Sequence, residues 1–333
     1  GGSEHVLTII ANYFATHGYE VTIISRTHKN NQYSIDSHID VQYVETKSHL
    51  IFLRRSRQII RNIKPNTVIS FEYFYNMCAV LICLGLNVKL LISERNDPAR
   101  VGSGFIKSRI RNILYSFADV LICQTDDAKN YFPDYIRKKV FIILNPIMSG
   151  LPSKQEKVRD KVIVNFCRLN KQKNIPLLIS AFEEFCNIHP DYELHIYGDG
   201  AEKETILDII YSKHLERIIK VFPNTPNVHE LVINAAMFVS TSDFEGLSNS
   251  MLEALSMGLP TICTDCPCGG ARMVIEDGVN GFLIPVNNQK SLVDKMLLIA
   301  GSSELTIKLS NNALKINNKL NVDNICKQWI SLL

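Results

Sequence analysis

Short apolar strands that alternate with amphipathic helices limit this chain to one class of fold. The pattern predicts a strand over 67–71, a helix over 76–86 and a strand over 89–93. The same order returns after residue 160, where a strand over 162–166 is followed by a helix over 175–187. A helix between consecutive strands makes those strands parallel and places helices on both faces of the sheet. We therefore predict two doubly wound α/β domains with one ligand cleft between them.

The domain boundary is predicted at residues 149–160, which are polar and contain glycine and proline. They would link a domain over 1–148 to a domain over 161–333, a division that suits a chain of 333 residues. The tail over residues 307–333 is predicted helical, and we expect its last helix to be able to pack back on the first domain.

The chain opens with two glycines directly before a helix, in a place where a strand normally precedes such a pair. We therefore expect about ten residues ahead of Gly1, enough for one strand and its lead-in. The first strand of the first domain is thus expected to be missing from this sequence.

Residues 238–260 hold the most informative chemistry. An apolar strand runs into a polar loop and then into a helix that Ser248 or Asn249 can cap. A helix start preceded by Gly246 offers free backbone N–H groups to a phosphate. Glu245 and Glu253 bracket that start, and an ionised carboxylate accepts hydrogen bonds from hydroxyl groups. The implied ligand is a diphosphate with a polyol at each end, as in a nucleotide sugar. The alternative is a solvated loop acid and an acid favoured near a helix start.

Two basic residues follow the first strand of the second domain. Arg168 and Lys173 lie on one predicted loop, where a planar guanidinium and a flexible ammonium could clamp a diphosphate. The alternative is an ordinary solvated basic loop.

Several motifs together resemble the GT4 family of retaining glycosyltransferases, which have the GT-B fold. They are Arg168-Leu169 with Gln172-Lys173-Asn174, Tyr197-Gly198-Asp199-Gly200, Ser242-Asp243-Phe244-Glu245-Gly246 through Glu253, and Glu276-Asp277-Gly278 with Asn280-Gly281. Gly1-Gly2-Ser3-Glu4 resembles that family's first-domain glycine loop. The resemblance covers nearly the whole chain. Residues 93–98 (SERNDP) and 265–267 are most similar to the bacterial branch that extends lipid-linked oligosaccharides for glycoprotein, capsule or exopolysaccharide.

The resemblance implies a role for each matching residue. Arg168 and Lys173 would hold the diphosphate of a UDP-sugar donor, and Glu245 would bind the donor sugar's hydroxyls. The donor-binding set would be completed by Gly246, Leu247, Ser248, Glu253, Gly198, Gly1 and Gly2. The reaction would transfer a hexose or N-acetylhexosamine to a polyprenyl-diphosphate-linked saccharide, with retention of configuration and without a metal or other cofactor.

The chain departs from the family pattern at two places. Cys167 stands where the family commonly has glycine, and the first domain lacks the usual cleft histidine after its fourth strand. Other polar residues at the strand ends are therefore the acceptor-side candidates, namely Glu94, Arg95, Asn96 and Glu72, with those of residues 93–98 favoured.

A basic amphipathic helix is predicted over 50–64, and it contains no acidic residue. Such a helix suits an anionic bilayer surface or a polyphosphate-bearing lipid, and the alternative is a surface helix packed on the sheet. The candidate membrane residues are Arg54, Arg55, Arg57, Arg61 and Lys64, with Lys107, Arg109 and Arg111 as an extension. Nine scattered cysteines fit a reducing cytosol. We therefore expect a protein that is peripheral on the inner face of the cell membrane.

Other function classes fit less well. No G-x-G-x-x-G follows a strand, which disfavours a dinucleotide-dependent dehydrogenase. Cys263, Cys266 and Cys268 lack a second pair at zinc spacing, and no interleaved basic and aromatic pattern favours nucleic acid. A nucleotide-sugar epimerase of the same fold and a non-catalytic nucleotide-sugar-binding subunit remain as alternatives.

Overall fold

The computed structural model describes residues 2–27, 34–153 and 158–333. The chain divides into two compact units, one of Gly1–Pro146 with Leu320–Leu333 and one of Ile147–Lys319. The last helix therefore belongs to the first unit, where Trp329 is fully buried and stacks on Phe71 with 5.5 Å between ring centroids.

The first unit contains two parallel sheets. Strand β1 (Thr22–Ser25) pairs with β2 (Asp40–Tyr43), and a second sheet has the order β3-β4-β5-β6. Its strands are β3 (Thr67–Phe71), β4 (Lys89–Ser93), β5 (Val120–Cys123) and β6 (Val140–Ile142). The helices are α1 (Gly2–Thr16), α2 (His49–Ile63), α3 (Tyr73–Cys83), α4 (Phe105–Tyr115), α5 (Asp126–Tyr131), α6 (Asp134–Arg137) and α14 (Val322–Ile330).

The parallel pairing predicted for this half is confirmed, but the sheet is divided. Among the described residues no ladder joins the β1–β2 pair to the four-stranded sheet. The expectation of a further strand ahead of Gly1 stays a prediction.

The second unit is a single six-stranded parallel sheet with the order β12-β11-β10-β7-β8-β9. Its strands are β7 (Asp160–Phe166), β8 (Glu193–Tyr197), β9 (Ile219–Phe222), β10 (Ala235–Ser240), β11 (Thr261–Thr264) and β12 (Phe282–Ile284). The helices are α7 (Ile175–Cys186), α8 (Lys203–Ser212), α9 (Val228–Val232), α10 (Asn249–Ser256), α11 (Gln289–Gly301), α12 (Ser303–Ala313) and α13 (Ile316–Lys319). Strand β7 begins at Asp160, inside the segment predicted as a linker.

The strand order of the second unit positions its site. From β7 the chain moves outward through β8 and β9, and it then returns to place β10 on the other side of β7. The pair β7–β10 is therefore the switch point of the sheet, and ligands of doubly wound folds bind at the carboxyl ends of the strands beside it. The loops carrying Lys173 and Glu245 leave the sheet at this point.

Buried apolar residues of both faces hold the second sheet in place. Leu178, Phe182 and Phe185 of α7 pack in one cluster with Ile163 and Leu194 of the strands. Among the described residues no helix is both long and apolar enough to cross a bilayer.

Candidate functional site

Two loops at the carboxyl ends of β7 and β10 are hydrogen-bonded to each other. The backbone N–H of Asp243 donates to the Gln172 carbonyl over 2.8 Å, and the Gln172 amide donates to the Phe244 carbonyl over 2.8 Å. The Thr241 hydroxyl donates to the Lys173 carbonyl over 3.0 Å. The side chains of both loops are thus held in a fixed relation to one another.

Lys173 and Glu245 form an ion pair across these loops. The Lys173 ammonium contacts Oε2 of Glu245, and the two side chains are only 14% and 22% exposed. The Ser242 hydroxyl donates to the same carboxylate oxygen over 3.3 Å. Burial has the largest single effect on the pKa of Lys173 and lowers it, but the raising effects, of which the charge of Glu245 is the largest, together exceed it, and the pKa ends above its ordinary value. Lys173 therefore stays charged at neutral pH.

This ion pair was not predicted from the sequence, and the role of Glu245 toward sugar hydroxyls stays a prediction. The sequence assigned Lys173 to the phosphates and Glu245 to the sugar, and it did not indicate that the two side chains touch each other. They lie 72 positions apart in sequence, and only the parallel pairing of β7 with β10 brings them together.

Arg168 lies on the same loop as Lys173 but is exposed. Its backbone is fixed, because the Asn170 N–H donates to the Arg168 carbonyl over 3.0 Å and Leu169 next to it is fully buried. Its guanidinium has no hydrogen bond or ion pair with any residue that the structure describes. An exposed guanidinium beside a charged ammonium can receive a phosphate.

Glu253 also has a partner, which sequence reasoning missed. Nε2 of His229 lies 3.0 Å from Oε2 of Glu253, and the two side chains are 15% and 14% exposed. The edge of the His229 ring packs on Phe166 with 5.8 Å between centroids. A single histidine on a short helix carries no sequence signal of this contact.

The start of α10 borders a small pocket. The Ser248 hydroxyl caps the helix by accepting from the Met251 N–H over 3.4 Å, as the sequence predicts. Besides Glu245, Gly246 and Ser248, the pocket is lined by Ser240, Ser242, Met251, Cys263, Thr264, Cys266, Gly270 and Ala271. Burial raises the pKa of the Cys266 thiol to about 11, which keeps it protonated. Leu247 is a buried side chain behind this rim.

Glycines permit close backbone contacts around the site. A Cβ on Gly198 would lie 2.0 Å from the Cys167 carbonyl oxygen, and one on Gly270 would lie 1.7 Å from the Gly246 carbonyl oxygen. Packing alone therefore requires glycine at position 198, and its donor-binding role stays a prediction. Gly2 lies in the first turn of α1, and Gly1 lies outside the described residues.

Two of the four acceptor-side candidates are buried within the first unit. Glu94 is 2% exposed and accepts from the Tyr115 hydroxyl over 2.9 Å. Arg95 lies over the Phe71 ring at 5.0 Å and donates to Asn145. Burial raises the pKa of Glu94 to about 7 and lowers that of Arg95 to about 9. Both side chains lie inside the unit and bond to its own residues, and their acceptor-side role stays a prediction.

Glu72 and Asn96 are the candidates that remain accessible. Asn96 is half-buried and accepts from the Asp97 N–H over 2.8 Å. Glu72 is exposed at the carboxyl end of β3, and its backbone has φ 74° and ψ 145°. A residue with a Cβ rarely adopts this conformation, and such strain concentrates at functional positions.

The predicted basic surface is only partly formed. Arg54, Arg55, Arg61 and Lys64 are exposed on or just beyond α2, whereas Arg57 is half-buried and donates to the Ile82 carbonyl. Arg111 does not extend the surface as predicted. It is fully buried, donates to the Pro98 carbonyl over 2.7 Å, and lies over the rings of Tyr131 and Phe132.

Two family models match this chain, one in each half. The model for Glycosyltransferase Family 4 matches residues 1–148, and the model for Glycosyl transferases group 1 matches residues 151–316. The chain is a GT4-like glycosyltransferase. Its enzyme class, predicted from the sequence motifs, is confirmed.

Relatives and solved structures agree with this assignment. Over its full length the glycosyltransferase is 22% identical to an uncharacterized glycosyltransferase of Haemophilus influenzae, covering 96% of that protein. It is 24% identical to a Campylobacter jejuni alpha-1,4-N-acetyl-D-galactosaminyltransferase named for a diNAcBac-PP-undecaprenol substrate, covering 95% of it. It also superimposes on Anabaena HepE, solved with UDP-glucose, with a TM-score of 0.85 at 17% identity, covering all of this chain and 96% of the other. The predicted GT-B fold is confirmed.

The chemistry of a glycosyltransferase fits the geometry of the second unit. The loop after β7 carries Arg168 and Lys173, Glu245 pairs with Lys173, and Glu253 lies within α10, whose start is capped by Ser248. Within the described parts of the chain no group of three or more metal-ligating side chains is assembled.

Proposed function

We propose that this glycosyltransferase moves a hexose or N-acetylhexosamine from a UDP-sugar to a polyprenyl-diphosphate-linked saccharide, with retention of configuration. One observation carries the donor assignment. The Lys173–Glu245 pair joins the two loops at the switch point of the second unit's sheet, one carrying the exposed Arg168 and the other leading into the capped start of α10. Cations, backbone N–H groups and an acceptor carboxylate are the groups that a sugar diphosphate needs.

Each donor group then has one role. Arg168, Lys173 and the backbone around Gly246 and Ser248 bind the diphosphate. Glu245 shares its carboxylate between Lys173 and the sugar hydroxyls, so that donor binding tightens the existing ion pair. Glu253 accepts from the ribose hydroxyls and is held in position by His229.

Transfer breaks the bond between the sugar's anomeric carbon and the departing phosphate oxygen. Negative charge then grows on UDP, and Lys173 and Arg168 stabilise it in the place of a metal ion. The acceptor hydroxyl attacks the same face of the sugar and gives its proton to the departing phosphate, which retains the configuration. No metal or other cofactor takes part in this scheme.

The acceptor is assigned to the first unit. The Campylobacter relative is named for an undecaprenol-diphosphate-linked saccharide, which supports a lipid-linked acceptor. Glu72 is the preferred acceptor contact, because it is exposed at a strand's carboxyl end and has a strained backbone. The exposed arginines of α2 would bring the enzyme to the anionic inner face of the cell membrane.

Two substitutions test the donor assignment. We expect Glu245→Ala to abolish transfer while UDP binding largely survives, and Glu253→Ala to weaken UDP binding itself. Calorimetry with UDP and a radiochemical transfer assay with a panel of UDP-sugars measure the two effects. Equal loss of UDP binding in both variants would contradict these separate roles of the two carboxylates. Conversion of the UDP-sugar to its epimer without an acceptor would favour the epimerase instead.

A further inference from the structure

Helix α4 turns an apolar face toward solvent. Phe105, Ile106, Ile110, Ile113 and Phe117 are 71%, 70%, 49%, 59% and 58% exposed. Residues 106, 110, 113 and 117 recur at the spacing of one helical face, with residue 117 just beyond the end of the helix. These five residues form the α4 stripe. A contiguous exposed apolar patch of this kind marks an interaction site.

The opposite side of α4 explains this orientation. Arg111 and Tyr115 are fully buried and bonded, Arg111 to the Pro98 carbonyl and Tyr115 to Glu94. The polar anchors of the helix therefore point into the unit, and its largest apolar side chains point outward. This is the reverse of an ordinary surface helix, so turning the stripe inward would break the buried hydrogen bonds.

The charges around the stripe indicate its partner. Lys107 and Arg109 are exposed on α4, and the Arg109 guanidinium lies 4.3 Å from the centre of the Phe105 ring. No acidic residue occurs between Asp97 and Asp119. Helix α3 packs between α4 and the basic α2, and its end adds the exposed Leu81 and Leu84. Apolar and purely basic side chains together fit an anionic bilayer surface. A second copy would bring like charges together, which disfavours a dimer through this face.

We propose that the α4 stripe inserts into the headgroup region of an anionic bilayer and so anchors the first unit, while the arginines of α2 supply the longer-range attraction. Insertion of Phe105 and Ile106 would bury apolar surface that the fold leaves in water. This inference rests on the membrane association proposed above, but it names a different element and a different force.

Vesicle sedimentation tests the proposal. The double variant Phe105→Ser/Ile106→Ser should bind vesicles of phosphatidylglycerol and phosphatidylcholine at least tenfold more weakly than the parent chain. Leu298→Ser/Ile307→Ser is the matched control, since it removes two half-exposed apolar side chains from the second unit and should bind vesicles normally. UDP binding should be unchanged in both variants, which shows that they are folded. High salt should release Phe105→Ser/Ile106→Ser completely, because only charge then holds it, and should release the parent only in part. The α2 variant Arg54→Glu/Arg55→Glu should bind more weakly at low salt and respond little to added salt.

The outcomes separate this inference from the proposed function. If only Arg54→Glu/Arg55→Glu lost vesicle binding, the insertion of the α4 stripe would be overturned and electrostatic membrane association would remain. Unchanged vesicle binding in both Phe105→Ser/Ile106→Ser and Arg54→Glu/Arg55→Glu would overturn the insertion of the α4 stripe and the proposed membrane association alike. A change in molecular mass by light scattering, without a change in vesicle binding, would make the stripe a protein interface and overturn the inference.

A fluorescence measurement serves as a second test that does not depend on removing the stripe. In the variant Phe105→Trp, the fluorescence of the new indole should be quenched by brominated lipids, whereas the native Trp329 is fully buried and should not be quenched. Absence of quenching in vesicles that sediment the protein would also overturn the proposal.

Discussion

In each unit an acidic and a basic residue follow the carboxyl ends of parallel strands, but the two pairs differ in their exposure to solvent. In the second unit, Lys173 and Glu245 pair at the rim of a pocket and stay partly exposed. In the first unit, Glu94 and Arg95 follow β4 directly and are turned into the interior. A charged residue at a strand end is therefore a site candidate only until its surroundings are known.

The surroundings differ in a specific way. The hydroxyl of Tyr115, on α4, donates to the Glu94 carboxylate, and the Arg95 guanidinium lies over the Phe71 ring. Of the residues that the structure describes, no aromatic side chain lines the pocket beside Lys173 and Glu245, which is bordered by backbone, serine and cysteine side chains instead. Burial therefore raises the pKa of Glu94, whereas in the second unit the charge of Glu245 and the other raising effects together exceed the effect of burial on the pKa of Lys173.

The largest expected effect tests whether the Lys173–Glu245 pair belongs to a functional site. Lys173→Ala removes a cation from the diphosphate site and leaves Glu245 without its partner, so kcat/KM for transfer should fall by about 10³. The control is Lys213→Ala, which breaks the more exposed Lys213–Glu183 pair, 2.6 Å long, in the same unit. Steady-state kinetics of both variants measure the difference. Equal losses would remove the distinction between a site pair and a surface pair.

The next effect tests whether close backbone contact shapes the pocket rim. Gly270→Ala would place a Cβ 1.7 Å from the Gly246 carbonyl, so the backbone must move. We expect unfolding of the second unit to become easier by about 3 kcal/mol and UDP binding to weaken. Gly301→Ala, where no atom lies within 4 Å of the added carbon, is the control and should cost nothing. Urea denaturation gives the free energies, and equal stability of the two variants would contradict the prediction.

A third effect tests the structural side of the comparison through pH. Burial raises the pKa of Glu94 to about 7, so the folded state holds a proton that the unfolded state loses from about pH 4.5 upward. Stability therefore falls as pH rises between these values. Glu94→Gln removes that cost, and its stability relative to the parent should be greater at pH 8 than at pH 4.5 by about 1–3 kcal/mol.

Glu72→Gln is the control for this measurement, because Glu72 is an exposed carboxyl of the same unit. Its stability relative to the parent should be the same at both pH values in urea denaturation. If Glu94→Gln behaved in the same way, Glu94 would be solvated like a site carboxylate and the contrast between the units would fail.

The smallest effect sharpens the role of His229. His229→Gln should raise the dissociation constant for UDP about tenfold and leave kcat nearly unchanged, because Glu253 loses its orienting partner and not its charge. His195→Gln is the control, since His195 pairs with Glu193 at 2.7 Å elsewhere in the same unit. Calorimetry with UDP distinguishes them, and equal affinities would limit His229 to a packing role.

Much of the second unit could be predicted from the sequence. Periodicity predicted the end of β7 at residue 166 and the start of α7 at residue 175, and the cap at Ser248 was identified because its hydroxyl acts on a nearby backbone N–H group. Helix α11 was missed, although its cap at Asn288 is of the same kind. The contact of His229 with Glu253 and the apolar face of α4 could not be predicted, since a local pattern does not show which side of a helix is covered.

By itself the sequence determined the parallel alternation of strands and helices, the family, and the set of charged residues at the strand ends. Hydrophobic periodicity and helix capping act over a few neighbouring residues, so the amino-acid sequence alone shows them. The tertiary structure decided which of these charges serve a site and which serve the core. Burial and pairing depend on neighbours far away in sequence, as Tyr115 does for Glu94 and Lys173 for Glu245.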